Sequence, residues 1–314
     1  MRKGWLLLVL GLSLTLAACA AREGEEIASP LSPLASPLLP TRPLPSPTPI
    51  PPARFDGQRA YEHVLAQMAL GPRPPGSPAN QAVGDYIIAQ LEAQGWTVVT
   101  QTFPYRGTSL RNIIGRAGEG AVVIVGAHYD TRRRADQDPQ NPDQPVPGAN
   151  DGASGVAVLL ELARSLDKAK LQRQVWLTFF DAEDNGGLDG WEWLVGSTYM
   201  AEHLEVRPEA MILVDMVGDA DQQLYFEQNS TPALRQRIWA LAAELGYGDV
   251  FTPTVKWSLF DDHTPFLRRG IPAVDIIDFD YPYWHTTQDT ADKVSPLSLE
   301  RVGRVVEALL EAWK

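Results

Sequence analysis

QVWLTFFDAEDNGG occupies residues 174–187, and its two halves differ in kind. Residues 175–180 are almost wholly apolar and rich in aromatic and β-branched side chains. That is the composition of a central strand buried on both faces. Asp181, Glu183 and Asp184 then arrive within four positions, followed by two glycines. Three carboxylates at the end of a buried strand point to chemistry, because open α/β sheets bind their ligands beyond the carboxyl ends of the strands.

Similar apolar runs recur on both sides. AVVIVGA at 121–127, AMILV at 210–214 and AVDII at 273–277 read as strands. Helical patterns lie between and after them, at 154–166, 197–204, 231–245, 262–269 and 297–313. Upstream, 57–69 and 78–94 read as amphipathic helices joined by the loop LGPRPPGSP. Residues 96–103 alternate as a strand, and 112–115 are expected to pair with 121–127. Strands alternating with helices predict an α/β fold whose sheet is covered on both faces.

The chain has 314 residues, 44% of them hydrophobic, enough for a sizeable core. Its formal net charge of −12 argues against a nucleic-acid partner, whose phosphates require a basic surface. Arg2 and Lys3 precede an apolar run at 5–16 that is too short for an ordinary membrane span. The run ends in LAAC, which resembles the lipobox of bacterial lipoproteins, with Cys19 as the lipidated residue. Residues 1–19 are therefore expected to be a lipoprotein signal peptide. The domain is then expected outside the cytoplasm, touching the membrane only through that anchor. Cys19 is the sole cysteine, so no disulfide can form within the chain. Residues 20–54 form a linker in which Pro recurs every two to four positions from 29 to 53, favouring an extended spacer. Residues 55–314 are the expected catalytic domain. The oligomeric state is not specified by these features.

Polar side chains cluster just past the predicted strands. His128 and Asp130 follow the first, Asp181, Glu183 and Asp184 the second, Asp215 the third, and Asp278, Asp280, Trp284 and His285 the fourth. GANDGASG places Asp151 in a glycine-rich loop before a helix. Singly, each has a structural reading. Asp151, Asp261 and Asp262 suit helix caps, His128 a core histidine, and Asp278 and Asp280 a solvated loop. Gathered at one edge they repel one another unless a cation lies among them. Mixed His and carboxylate ligands without cysteine suit zinc, with manganese or cobalt as competitors.

Six motifs occur in order: HYD at 128–130, NDGASG at 150–155, AED at 182–184, VDMVG at 214–218, DDHTPF at 261–266 and YWHTTQDT at 283–290. Together they resemble the zinc aminopeptidase family that also contains the glutaminyl-peptide cyclotransferases. The resemblance implies a three-layer αβα sandwich with a mostly parallel, mixed central sheet, like other zinc-dependent exopeptidases. It implies Zn2+ held by Asp151, Asp184 and His285, with Glu183 as general base. Asp184 stands where many relatives have Glu. A second zinc, in the peptidases, would use His128 and Asp215 with Asp151 bridging, and Asp130 would orient His128.

The resemblance also frames the choice of reaction. Aminopeptidases of the family have Ser before the Asp-His pair, whereas cyclases have a second Asp, here Asp261. Glu183, Asp261 and Asp215 are thus the candidate catalytic carboxylates. A Trp before the last ligand, here Trp284, walls the cyclase pocket, and either Trp191 or Trp193 is expected to join it. Asp275 departs from the His of animal cyclases. The expected function is conversion of N-terminal Gln to pyroglutamate, using one zinc and peptide or protein N-termini as substrates. The alternative is a two-zinc aminopeptidase. Relatives that serve only as binding domains lack the ligands that this chain keeps.

Overall fold

The computed structural model describes residues 54–313. The leader with Cys19 and nearly all of the Pro-rich linker lie outside them. No helix among the described residues is long and apolar enough to cross a membrane.

Helices α1 (Gly57–Leu70) and α2 (Pro78–Ala93) begin at side-chain caps. Asp56 accepts from the amides of Gln58 and Arg59, and Ser77 from that of Asn80. Strands β1 (Thr97–Tyr105) and β2 (Thr108–Ala117) form a hairpin. Its two linking residues, Arg106 and Gly107, both have positive φ, as a tight hairpin turn requires. There follow β3 (Val122–His128), α3 (Ala153–Ser165), β4 (Gln174–Phe180), α4 (Val195–Glu202), β5 (Ala210–Asp215) and β6 (Leu224–Glu227). The chain continues through α5 (Pro232–Glu244), β7 (Phe251–Trp257), α6 (Thr264–Arg268), β8 (Ala273–Ile277) and α7 (Pro296–Glu311).

The main sheet runs β1-β2-β4-β3-β5-β8. Its last four strands are parallel, and β1 and β2 are antiparallel additions at one edge. The expected pairing of 112–115 with 121–127 does not occur: β2 pairs with β4, which separates it from β3. Every β4 residue from Val175 to Phe180 is buried, whereas β2 carries the partly exposed Arg111 and Arg116. The strand with two apolar faces takes the inner place, because an inner strand loses water from both faces. The small parallel sheet of β6 and β7 was not expected. Its β7 is mostly exposed and contains Pro253, so neither alternation nor propensity marks it.

Alternate residues of the buried strands serve two cores. Val123, Val125, Leu177 and Ile212 face α1, α2, α3, α5 and α7. Ile124, Trp176, Phe180 and Leu213 face α4 and α6. The result is the three-layer αβα sandwich with a mixed, mainly parallel sheet. The C-terminal ends of β3, β4, β5 and β8 share one edge, and the polar residues gather there.

Candidate active site and metal centre

The site side chains come from strand ends and from the turns just past them. His128 is the last residue of β3 and Asp215 the last of β5. After β4 the chain reverses at Ala182, whose φ of 57° is left-handed. That turn presents Glu183 and Asp184. Asp130 secures it, accepting from the amides of Glu183 at 2.9 Å and Asp184 at 3.3 Å. Met216 and His285 are also left-handed, at φ 43° and 55°. Each such residue costs on the order of 1–3 kcal/mol, and strain of this kind persists where surrounding structure enforces it. Three of these residues adjoin or belong to one cluster.

The cluster contains two triads that share Asp151. In one, His128 Nε2 lies 3.2 Å from Asp151 Oδ1 and 3.1 Å from Asp215 Oδ1. In the other, His285 Nε2 lies 2.8 Å from Asp184 Oδ1 and 3.7 Å from Asp151 Oδ2. Each triad offers ligand atoms within 4.8 Å of one another, and all five residues are buried. Asp151 Oδ2 and Asp184 Oδ2 are buried without a hydrogen-bond partner. Buried acceptors with nothing to accept are costly, and a cation between them removes that cost. Nitrogen and oxygen donors without sulfur fit zinc.

Protonation reflects the same crowding. Burial, then Asp184, Asp261 and Asp262, push the Glu183 carboxyl well above the usual range, against the opposing effect of His128. Burial and then Asp215 push Asp261 up to about 7. Burial alone would lower His285, but Asp184 and Asp136 raise it to about 9. A carboxylate cluster that must hold protons to coexist is one that a divalent cation would discharge.

A model of peptidase family M28 matches residues 112–310. The chain belongs to peptidase family M28. Among curated proteins it is 27% identical to a bovine glutaminyl-peptide cyclotransferase-like protein, covering 83% of this chain and 76% of that one. Among solved structures it superposes on a glutaminyl cyclase from Bacteroides thetaiotaomicron with a TM-score of 0.78 and 34% identity, covering 83% of this chain and 99% of that one. A leucine aminopeptidase precursor from the same organism gives a TM-score of 0.79 and 34% identity, covering 85% and 99%.

The M28 chain keeps most of the expected residues around one cleft of about 230 Å³. Asp151, Glu183, Asp184, Asp215, Asp261 and His285 line it, between Trp193 and Trp284. His128 lies behind Asp151 and Asp215. Trp284 stacks on His285 with centroids 3.7 Å apart, and Trp193 lies parallel to the same imidazole at 6.2 Å.

The alternative between Trp191 and Trp193 is thereby decided. Trp191 is buried with Phe103, Leu110 and Val195, its ring edge-on to Tyr105, and does not reach the cleft. Two residues on, the loop has turned back, and Trp193 passes over Gly186. A Cβ at Gly186 would lie 2.1 Å from that indole. This accounts for one of the two glycines in the opening stretch, and φ of 76° at Gly187 for the other.

Several acids differ from expectation. Asp151 caps nothing: the residue before α3 is Gly152, with no side-chain cap. Asp130, expected to orient His128, lies 3.6 Å from its Nδ1 and also accepts from the Glu183 turn. Asp278 is buried and accepts from the amides of Gln223 and Asp280, while Asp280 pairs with Lys256. Neither lines the cleft.

Asp181 leaves the cluster altogether. It accepts from Asn80 and from the Arg111 amide, on the other side of the turn at Ala182. Burial and Asp130 push it up to about 7 from an ordinary 3.8. The folded chain keeps a proton there that the unfolded chain has released. Stability from this group is therefore complete below about pH 4 and lost toward pH 7, a linkage of at most on the order of 4 kcal/mol. Asp181→Asn should flatten that slope, so its urea midpoint should fall less than that of the wild type between about pH 4 and pH 7. Equal falls in both proteins would refute the raised carboxyl.

Three supporting groups were not recognised from sequence. Arg132 grips Asp136 through two bonds of 2.7 Å, placing that carboxylate 3.4 Å from His285 Nδ1. Asp289 accepts from the amides of Asn150 and Asp151 and from the Tyr281 hydroxyl, and so holds the Asp151 loop. Behind Asp261, the fully buried His263 lies between Glu227 at 3.3 Å and Asp275 at 3.8 Å. Only the last had a sequence signal. An acid inside the apolar strand AVDII needs a buried partner.

Proposed function

We propose that this chain is a zinc-dependent glutaminyl-peptide cyclotransferase, which converts N-terminal Gln to pyroglutamate and releases ammonia. The observation that carries the reading is Asp261. A second carboxylate lines the cleft beside Glu183, backed by the buried Asp275, at the position where aminopeptidases resembling this chain have Ser. The glutaminyl cyclase and cyclotransferase-like relatives support the same choice.

Zinc held by Asp151, Asp184 and His285 would polarise the γ-carboxamide carbonyl of the substrate. The rest follows from the chain's own side chains. Trp193 and Trp284 flank the site of that carboxamide and keep water from it. Glu183 takes a proton from the substrate's α-amine as its nitrogen attacks the carboxamide carbon, Cδ of the Gln side chain. The new C–N bond closes the five-membered lactam. The Cδ–Nε bond breaks as Glu183 returns the proton, and ammonia leaves. Asp261, with its raised proton affinity, sits where it can hold the departing nitrogen. The substrates are peptide or protein N-termini outside the cytoplasm, where the leader ending at Cys19 would place the enzyme.

The sharing of Asp151 by two triads favours one further reading, a two-zinc aminopeptidase. Incubation of the zinc-loaded chain with a Gln-initiated and a Leu-initiated peptide separates them by mass spectrometry. Loss of ammonia from the first, with the second intact, supports the cyclase. Stepwise loss of N-terminal residues refutes it.

A further inference from the structure

We propose that the apolar cavity on the far side of Trp193 is a subsite for the third residue of the peptide substrate, selecting aromatic and large aliphatic side chains. The proposal rests on the cleft being the site that receives a peptide N-terminus.

This second cavity measures about 380 Å³ and is larger than the catalytic cleft. The two are neighbours, since Trp193 and Phe260 line both. Its inner wall is Phe103 and Tyr199, stacked with centroids 3.9 Å apart and planes within 6°. Phe260 stands at the junction and is 51% exposed, with the Arg268 guanidinium over its ring at 4.9 Å. A large aromatic left half in water beside a cleft is surface that a ligand can cover.

Chain geometry selects the third residue. In an extended peptide, side chains one and three point to the same side, with α-carbons roughly 7 Å apart. That step carries a peptide from the cleft across a single indole into the second cavity, whereas side chain two points away. Glu192 and Glu202 stand on the rim, both exposed and neither in an ion pair among the described residues. With Arg268 the one cation in the same lining, the net charge there is negative and disfavours an acidic third residue.

The test uses the full, zinc-loaded chain and amidated peptides Gln-Ala-X-Ala, with X as Phe, Ala or Glu, together with Gln-Phe-Ala-Ala. Phe at position three should raise kcat/KM roughly tenfold over Ala, the worth of a partly buried aromatic ring, and Glu should lower it. Thr198→Trp, which fills the cavity from a half-buried position of α4 in its lining, should collapse the Phe-over-Ala ratio to about twofold or less. Phe260→Ser should reduce it too. The pyroglutamyl forms of the same peptides, titrated calorimetrically, should bind in the same order. If no Gln peptide is cyclised while that binding order and its loss in Thr198→Trp persist, the cyclase reading fails and the subsite stands. Cyclisation with no preference at position three, or with the preference at position two, overturns the subsite.

Discussion

Glu183→Gln should lower turnover of a Gln-initiated peptide by roughly 10²–10⁴-fold, the usual contribution of a general base, and leave zinc content unchanged. The substitution keeps side-chain volume and the backbone amide that Asp130 holds at 2.9 Å, so the turn after β4 is preserved. It removes only the ability to accept a proton from the attacking amine. Glu183 belongs to neither ligand triad, so elemental analysis of the variant should match the wild type. Loss of metal in Glu183→Gln would make Glu183 a ligand, and normal turnover would end its role as base. The sign of the pH dependence is also set. Burial and the neighbouring acids hold the Glu183 carboxyl well above the usual range, and only its ionised form accepts a proton. Activity should therefore fall as pH is lowered, with the acid limb at higher pH than an exposed glutamate would give.

His285→Ala should empty the metal position shared by the two candidate reactions, and abolish activity with it. Three features make this side chain hard to replace. Its backbone is left-handed at φ 55°, its ring is stacked by Trp284 at 3.7 Å, and its Nε2 is 2.8 Å from Asp184 Oδ1. Alanine leaves Asp184 and Asp151 facing each other, buried, with no imidazole and a weakened hold on any cation. Metal counted after dialysis then reads both the site and the reaction. A wild type with one equivalent and a variant with none fits the cyclase. A fall from two equivalents to one, with the second held by His128, Asp151 and Asp215, fits the peptidase. An unchanged content refutes His285 as a ligand. Breaking such a buried cluster should also lower the melting temperature, because the bound ion stabilises only the folded state.

Much of this architecture is legible in the amino-acid sequence. AVVIVGA, VWLTFF and AMILV are nearly continuous apolar runs, AVDII is broken by one acid, and only a sheet covered on both faces buries such strands. Most of the acids and histidines written just after them converge, because parallel strands place their carboxyl ends on one edge, though Asp181, Asp278 and Asp280 turn away. Glu183, Asp184, Asp215, His285 and the Asp151 loop could be gathered on that ground alone, whereas Asp261 entered through the family resemblance.

Other features depended on distant parts of the chain. Whether β2 lies beside β3 or β4 depends on competition for the inner place in the sheet. Asp181 and Glu183 are two residues apart, yet the left-handed turn at Ala182 sends one to Asn80 and the other to the cleft. Trp191 and Trp193 read alike until the loop folds over Gly186. Asp136 and Asp289 reach His285 and Asp151 from far along the chain, by contacts that leave no local pattern. Periodicity and residue chemistry are local, so the sequence by itself determined the strands, their layer and the inventory of the site. Direction and distance belong to side chains brought together from afar. Only the tertiary structure decided which indole walls the cleft, which acid leaves it, and what holds each ligand in place.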